Sequence, residues 1–487
     1  MNKSVLLLAL LPALAHAAGP APIFLQALTP TSGANPSAVL DGDAKTGWVP
    51  VGDPRDEGLL FRFETPIRMN AIAVAPCANV VGSIRLEISA DGNEVATIVA
   101  RNHGKEEPLD HAPLPGGEHG LRSVFLRIAE PDPSRTRPCI SEVAFLMGET
   151  RLALRPPRSV PGRVTASSTL APVDAYHPSY LFDGRLDFGW VEGAKGLGEG
   201  EWVGVHLDRP AEMSALEIWN GYQRSEDHFR KNARARKVSL EADGKRVAVF
   251  PLKDAMGSQK LALPAPVQAS DLKLVVEEAT AGTRYPDLVI SELRFWDSSG
   301  PFTVATQDAP EREAALKAEI GTGPLAKLVD RRLSAVCGAG RSSEDASRTL
   351  KLRTNHTFVG YDERAVGGGR RKDVSDGVWV PTRAAGPWAE IELYGRRHRV
   401  ETSWRAYEEA AARETDRIIG GRVELARLED LGAAGFAALI AEWKKGPARL
   451  QAACVTDAAA RFDELARRGG LVVRGPAFTD LLVERAP

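Results

Sequence analysis

The 487 residues are 43% apolar and 26% charged, with a formal net charge of −2. So even a charge balance gives no electrostatic reason to expect nucleic acid or an anionic membrane surface as partner. The length exceeds what one core serves and suggests about three domains, and 33 prolines and 45 glycines point to many turns, as in an all-β architecture.

The chain opens on Lys3, an apolar stretch from Val5 to Leu14 and a small-x-small step at Ala15-His16-Ala17. This pattern predicts a signal peptide over residues 1–17, and hence an exported, soluble protein, periplasmic or extracellular. The apolar stretch is too short to span a bilayer, no later segment has a long uncharged apolar run, and no transmembrane segment is expected. No cysteine follows the cleavage step to carry a lipid anchor. Export would put Cys77, Cys139, Cys337 and Cys454 in an oxidising compartment where disulfides persist. Counting alone leaves their pairing open, and the absence of C-x-x-C removes a thioredoxin motif or zinc knuckle.

An internal repeat organises the next part of the chain. Asp41-Gly42 to Gly47-Trp48 and Asp183-Gly184 to Gly189-Trp190 both read D-G-x4-G-W. Glu64-Thr65-Pro66 is echoed by Asp208-Arg209-Pro210, Ala90-Asp91-Gly92 by Ala242-Asp243-Gly244, and Ile140-Ser141-Glu142-Val143 by Ile290-Ser291-Glu292-Leu293. Val203-x-Val205-x-Leu207 and Val238-x-Leu240 alternate with period two, as half-buried antiparallel strands require, and Asp243-Gly244 is a hairpin turn. Short strands with turns at near-regular spacing indicate a sandwich or jelly roll.

The second copy resembles the discoidin-like (galactose-binding-like) domain attached to surface NAD glycohydrolases, the NADase-type glycan-binding domain. The resemblance rests on Leu181-Phe182-Asp183-Gly184, Trp190-Val191-Glu192-Gly193, Gly200-Glu201-Trp202-Val203, Asn220-Gly221-Tyr222-Gln223, Lys231-Asn232-Ala233-Arg234 and Asp287 to Glu292. It implies two all-β discoidin-like jelly-roll sandwiches, residues 25–147 and 163–297, joined by a linker over 148–162. The first copy keeps the frame but has Pro76-Cys77-Ala78-Asn79 in place of Asn220-Gly221-Tyr222-Gln223, and Pro50 in place of Glu192. Binding is therefore placed in the second copy, with the first as a structural partner.

Tyr222 follows Asn220-Gly221 in a polar loop beside the charged run Arg224 to Arg236. An aromatic side chain there suits a sugar ring or another flat ligand, because it offers apolar area with little entropy to lose. Glu192, Asn220, Asn232 and Arg236 would supply hydrogen bonds, and Trp190 completes the candidate set. Two plainer readings stay open: Trp48 and Trp190 as core caps, and the Tyr222 loop as solvated surface. In the discoidin-like frame, Cys77 and Cys139 fall on neighbouring strand ends, close enough to bridge. That leaves Cys337 and Cys454 as the second pair.

After Trp296 the pattern changes to an α+β domain over 309–487, beginning with one or two amphipathic helices across 309–335. Strands are predicted at Thr349–Arg353, Thr357–Tyr361, Gly377–Val380, Ala389–Leu393, Arg399–Thr402 and Gly421–Leu425, and helices at Gly435–Trp443 and Ala458–Arg468. Asn355 to Gly360 followed by Asp376 to Trp379 resembles the strand pairs of small lipocalin-like barrels. Gly367-Gly368-Gly369 reads as a hairpin tip, and Glu408, Glu409 and Glu414 as a solvated helical face.

No nucleophile elbow, P-loop or paired-histidine zinc motif occurs, so neither a metal nor another cofactor is indicated. The NAD glycohydrolase resemblance stops at the accessory domain and implies binding without NAD turnover. The leading expectation is an exported protein that binds a glycan or other small polar ligand. An enzyme with an unrecognised site in 309–487, and a structural module for a cell-envelope protein partner, remain beside it.

Overall fold

A computed structural model describes residues 22–80, 82–101, 110–131, 137–335, 346–366, 369–403, 417–443, 459–474 and 479–484. Residues 1–17, expected as a signal peptide, Cys337 and Cys454, and the charged stretch holding Glu408, Glu409 and Glu414 lie outside the described residues. The protein is mostly β.

The first unit has two sheets. Six strands run in the order Leu154–Arg155, Ile23–Pro30, Gly58–Ile67, Leu121–Pro131, Ser83–Ala90 and Asn93–Arg101. Four more run Asp110–Pro113, Ala71–Pro76, Ile140–Met147 and Thr150–Arg151. Period-two alternation decides which face each side chain takes: Ile84, Leu86 and Ile88 face one core with Ile72, Val74, Val143 and Trp48, while Glu87 and Ser89 face the other way, toward the C-terminal barrel. Phe145 packs edge-on against Phe61 and Phe63, with ring centroids 5.1 and 5.7 Å apart.

The second unit is one sheet folded back on itself around a separate core. The long strand Trp202–Asn220 makes the fold: its first half pairs with Arg158–Ala166 and its second half with Val289–Asp297, while Gln259–Thr280 pairs along both. The stretch 148–162, expected as a linker, carries strands instead. Thr150–Arg151 and Leu154–Arg155 extend the first unit's sheets, and Arg158–Ala166 runs parallel to Gly300–Thr306. Apart from the local pairing of Thr150–Arg151 with Ile140–Met147, its partners are distant in sequence, so its proline- and arginine-rich composition does not show them.

Downstream, eight strands close into a barrel: Leu333–Ala335, Ala346–Leu352, Thr357–Val366, Gly369–Ala385, Trp388–Ser403, Arg417–Arg427, Leu471–Arg474 and Thr479–Glu484, the last pairing with the first. Phe358, Trp379, Ile391, Leu393 and Leu425 fill a core that Leu316 of helix Asp308–Ile320 joins. Strand Leu471–Arg474 shows its two faces clearly. Leu471 and Val473 belong to that core, and Val472 to a second one with Phe436 and Leu465 of helices Leu428–Trp443 and Phe462–Arg467.

The repeated motifs make repeated hydrogen bonds. The Trp48 indole N–H donates to the Ser32 carbonyl at 2.8 Å, and the Trp190 indole to the Ser168 carbonyl at 2.9 Å. Trp48 bridges to Ile140 and Trp190 pairs with Ile290. The glycine before each tryptophan is required, since a Cβ would stand 2.7 Å from the Ile140 carbonyl oxygen at Gly47 and 2.6 Å from that of Ile290 at Gly189. Asp91 and Asp243 each take a positive φ at a hairpin tip and each accept two backbone N–H groups, from Arg122 and Ser123 and from Ser270 and Asp271.

Buried ion pairs join the units. Glu57 of the first unit is fully buried and pairs with Lys351 and Arg353 of the barrel, while Asp56 pairs with Arg127 and with Arg332. Burial alone would raise the Glu57 carboxyl, but Arg353 and Lys351 outweigh it and hold the group below its ordinary value. Arg294 of the second unit binds Glu217 and donates to the Leu25 carbonyl of the first at 3.1 Å. Arg312 ties the second unit to the barrel side through Asp174, Ser179 and Tyr180.

Candidate functional site

One end of the second unit gathers the loops 167–178, 192–201, 221–233 and 281–288, beyond the ends of strands Trp202–Asn220 and Val289–Asp297. Ser291, from the repeated I-S-E motif, fixes the third of these loops. Its hydroxyl donates to the Gly221 carbonyl at 3.1 Å and accepts the Gln223 backbone N–H at 2.9 Å. The Gln223 side chain donates to the Asn220 carbonyl and accepts from the Gly257 N–H. Gly221 has φ 75°, and a Cβ there would stand 2.7 Å from the Phe229 ring, so glycine alone suits the position. The residues on either side of Tyr222 are thus held from below.

Beyond Tyr222 the loop turns into helix Glu226–Lys231, capped by the Ser225 hydroxyl, which accepts the His228 N–H at 3.3 Å. His228 then lies edge-on to the half-buried Tyr222 ring, centroids 5.2 Å apart. The Arg224 guanidinium sits 5.1 Å from the Tyr222 ring centre and 5.9 Å from that of buried Phe188. Tyr176, from the first loop, faces the same group, and its ring meets Tyr394 of the barrel edge-on at 6.0 Å. Burial, then neighbouring Tyr222 and Tyr394, raise the Tyr176 hydroxyl above its ordinary range, so it stays a neutral donor.

The other residues expected at this end are committed to the protein itself. Trp190 and Asn220 are fully enclosed: the Trp190 ring belongs to the core, and Asn220 spends its amide on the Ala235 backbone, accepting its N–H at 3.1 Å and donating to its carbonyl at 2.7 Å. Glu192 accepts the N–H groups of Leu288 and Ala194, and burial raises its carboxyl against them. Asn232 donates to the His228 carbonyl and closes the short helix. Arg236 is exposed on strand Arg234–Ala242, paired with Glu278. Of the six, Tyr222 alone stands in the aromatic cluster with Arg224, Phe188 and Tyr176. Arg224 was hidden in a charged run that reads as solvated, and its burial is a tertiary fact.

In the first unit the equivalent loop is closed. Cys77 and Cys139 form a disulfide with Cα atoms 5.3 Å apart, 62 residues apart in sequence. Among the described residues no group of three His, Cys, Asp or Glu is placed to hold a metal ion, and no helix is long and apolar enough to cross a membrane.

The model of the NAD glycohydrolase translocation F5/8 type C domain matches residues 157–296. This segment is a discoidin-like F5/8 type C domain. Its matched start falls one residue before strand Arg158–Ala166. No curated protein sequence matches the chain. Among solved structures, the chain is similar to the family 32 carbohydrate-binding module of Clostridium perfringens NanJ in complex with galactose (17% identity, 28% of this chain and 92% of that one, TM-score 0.23). It is also similar to the paired modules CBM32-1 and CBM32-2 of Clostridium perfringens ZmpB (11% identity, 56% and 92%, TM-score 0.23). A third likeness is to an F5/8 type C domain from Bacteroides fragilis (14% identity, 29% and 92%, TM-score 0.22).

Proposed function

We propose that this is an exported binding protein whose F5/8 type C domain engages a glycan through the loop end that carries Tyr222 and Arg224. Residues 25–147 are then a second, diverged discoidin-like sandwich, whose disulfide closes the loop that the F5/8 type C domain keeps free. The barrel packs beside the binding end through Tyr394. The carrying observation is the Tyr222–Arg224 pair: a half-buried ring and a cation stacked on it, on a loop fixed by Ser291 and Gln223. A ring face for the apolar side of a sugar beside donors for its hydroxyls is the combination saccharide binding needs. The test is a glycan array with the full chain and with Tyr222→Ala. Loss of all signals in the variant, with its unfolding midpoint kept, supports the reading; an unchanged array removes this end as the site.

A cavity of about 270 Å³ between the first unit and the barrel favours a second reading, an enzyme. Asp56, Glu87, Arg127, Arg353, Lys372 and Tyr361 are among its lining residues. Most of these charges are spent on one another: Arg127 on Asp56 and Glu87, Lys372 on Glu87 and Glu363, and Arg353 on Glu57. Such a wall serves packing of the units better than chemistry. A hydrolase and glycosidase screen that finds turnover abolished by Lys372→Met would reverse this ranking.

A further inference from the structure

Six arginines are buried among the described residues, and five of them have a carboxylate. Arg127 pairs with Asp56, Arg234 with Asp254, Arg294 with Glu217, Arg353 with Glu57 and Arg427 with Glu429. Arg224, 9% exposed, has none. Its Nε is sealed from solvent with no hydrogen-bond partner, while neither terminal nitrogen is both sealed and unpaired. The carboxylates of this end are engaged elsewhere: Asp227 with Lys231, Asp254 with Arg234, and Glu192 with backbone N–H groups. Asp287 makes no ion pair with Arg224.

A cation withdrawn from water without a counter-ion is costly. Stacking on Tyr222 and Phe188 offsets part of the charge but leaves the Nε–H unsatisfied and the terminal N–H groups open to a ligand from solvent. The planar edge formed by the two terminal nitrogens is the fork that matches two oxygens of one carboxylate. Neutral hydroxyls would meet the N–H groups but leave the charge uncompensated.

We propose that the ligand of this end is an acidic sugar, and that Arg224 selects it by holding its carboxylate while Tyr222 covers the ring. This rests on the glycan-binding reading above and narrows it to uronate-type saccharides. The test is binding of the full chain to polygalacturonate and to the same polymer as its full methyl ester, which keeps the sugar and removes the charge. The acid is expected to bind at least about tenfold tighter at low salt, a preference that weakens as salt rises. Arg224→Gln should abolish the preference without lowering the unfolding midpoint, because the variant removes an unpaired charge. Arg224→Lys, which keeps the charge and loses the fork, should bind with intermediate affinity. Equal binding of acid and ester, or a preference that survives in Arg224→Gln, overturns the proposal and leaves glycan binding standing. Capture of neutral glycans alone on the array does the same. Binding of no saccharide, acidic or neutral, removes both.

Discussion

Cys77 donates its backbone N–H to the carbonyl of Cys139 at 2.9 Å, and a disulfide joins the same two residues. In the F5/8 type C domain the same backbone bond runs from Gly221 to the Val289 carbonyl at 3.0 Å, with no bridge beside it. The two units therefore share a frame and differ in what is done at one strand end. Where the first is cross-linked, the second sends out the loop that carries Tyr222 and Arg224.

The bridge closes a long loop, and its main effect is on the unfolded chain. Replacing Cys77 and Cys139 together with serine should cost about 2–4 kcal/mol. Thermal unfolding with and without reductant checks it: wild type under reducing conditions should approach the double variant. Glycan binding should not change, because the bridge lies in the other unit.

Tyr222 and Asn220 adjoin in the loop and separate in their roles. Tyr222→Ala should weaken glycan binding by about tenfold or more with little change in the unfolding midpoint. Asn220→Ala strands the Ala235 N–H and carbonyl in the interior and should destabilise by about 1–3 kcal/mol. Binding titrations alongside denaturant melts separate the two effects. A binding loss in Asn220→Ala without a stability loss would contradict the geometry.

The repeat was legible because each of its motifs is a local device with a fixed geometry. Gly47 and Gly189 must pass under a carbonyl, Asp91 and Asp243 must turn a hairpin, and Ser141 and Ser291 must hold the loop base, so the residue types recur in order. Barrel closure left no such mark, since the strands that close it, Leu333–Ala335 and Thr479–Glu484, lie at opposite ends of the domain's sequence. The loop end proposed to bind could be outlined from sequence, but not which of its side chains are free to bind. Asparagine and glutamate look alike in sequence whether they serve a ligand or, as Asn220 and Glu192 do, a backbone. Arg224 differs from its charged neighbours only in what surrounds it.

The contact between the first unit and the barrel depends on Glu57. Glu57→Ala would leave Lys351, 1% exposed, without its carboxylate and deprive Arg353 of the same partner. The loss should be large, about 3–5 kcal/mol. Because the folded-state carboxyl is held below its ordinary value, its contribution is present above the unfolded value and is lost as pH falls through the folded one. Calorimetry on acidification should show the wild-type midpoint falling while that of Glu57→Ala, already low, moves less. Equal acid sensitivity of the two proteins would exclude Glu57 as the cause.

Asp183 and Glu292 should give the opposite pH dependence. They are the acids of the D-G and I-S-E motifs, and the Gly184 N–H donates to the Glu292 carboxylate at 3.1 Å. The first unit lies on this corner: Thr29 donates to the Asp183 and Gly184 carbonyls, and a Cβ at Gly184 would stand 2.5 Å from the Thr29 hydroxyl oxygen. Burial first raises both carboxyls; Asp187 adds to this at Asp183 and Asp183 itself at Glu292, against the pull of Arg185 and Arg294. In the first unit the matching Glu142 pairs with Arg151 and Asp41 is exposed, yet burial, with Asp41 adding to it, still raises the Glu142 carboxyl. A carboxyl raised on folding binds a proton that the unfolded chain releases, so stability falls as pH rises from the ordinary carboxylate range, about 4, upward. Asp183→Asn keeps an acceptor for the Arg185 N–H and removes one acid of the pair. Its midpoint should match wild type near about pH 4 and exceed it increasingly toward about pH 8. Parallel profiles across that range would mean that Asp183 titrates alike in the folded and unfolded chains.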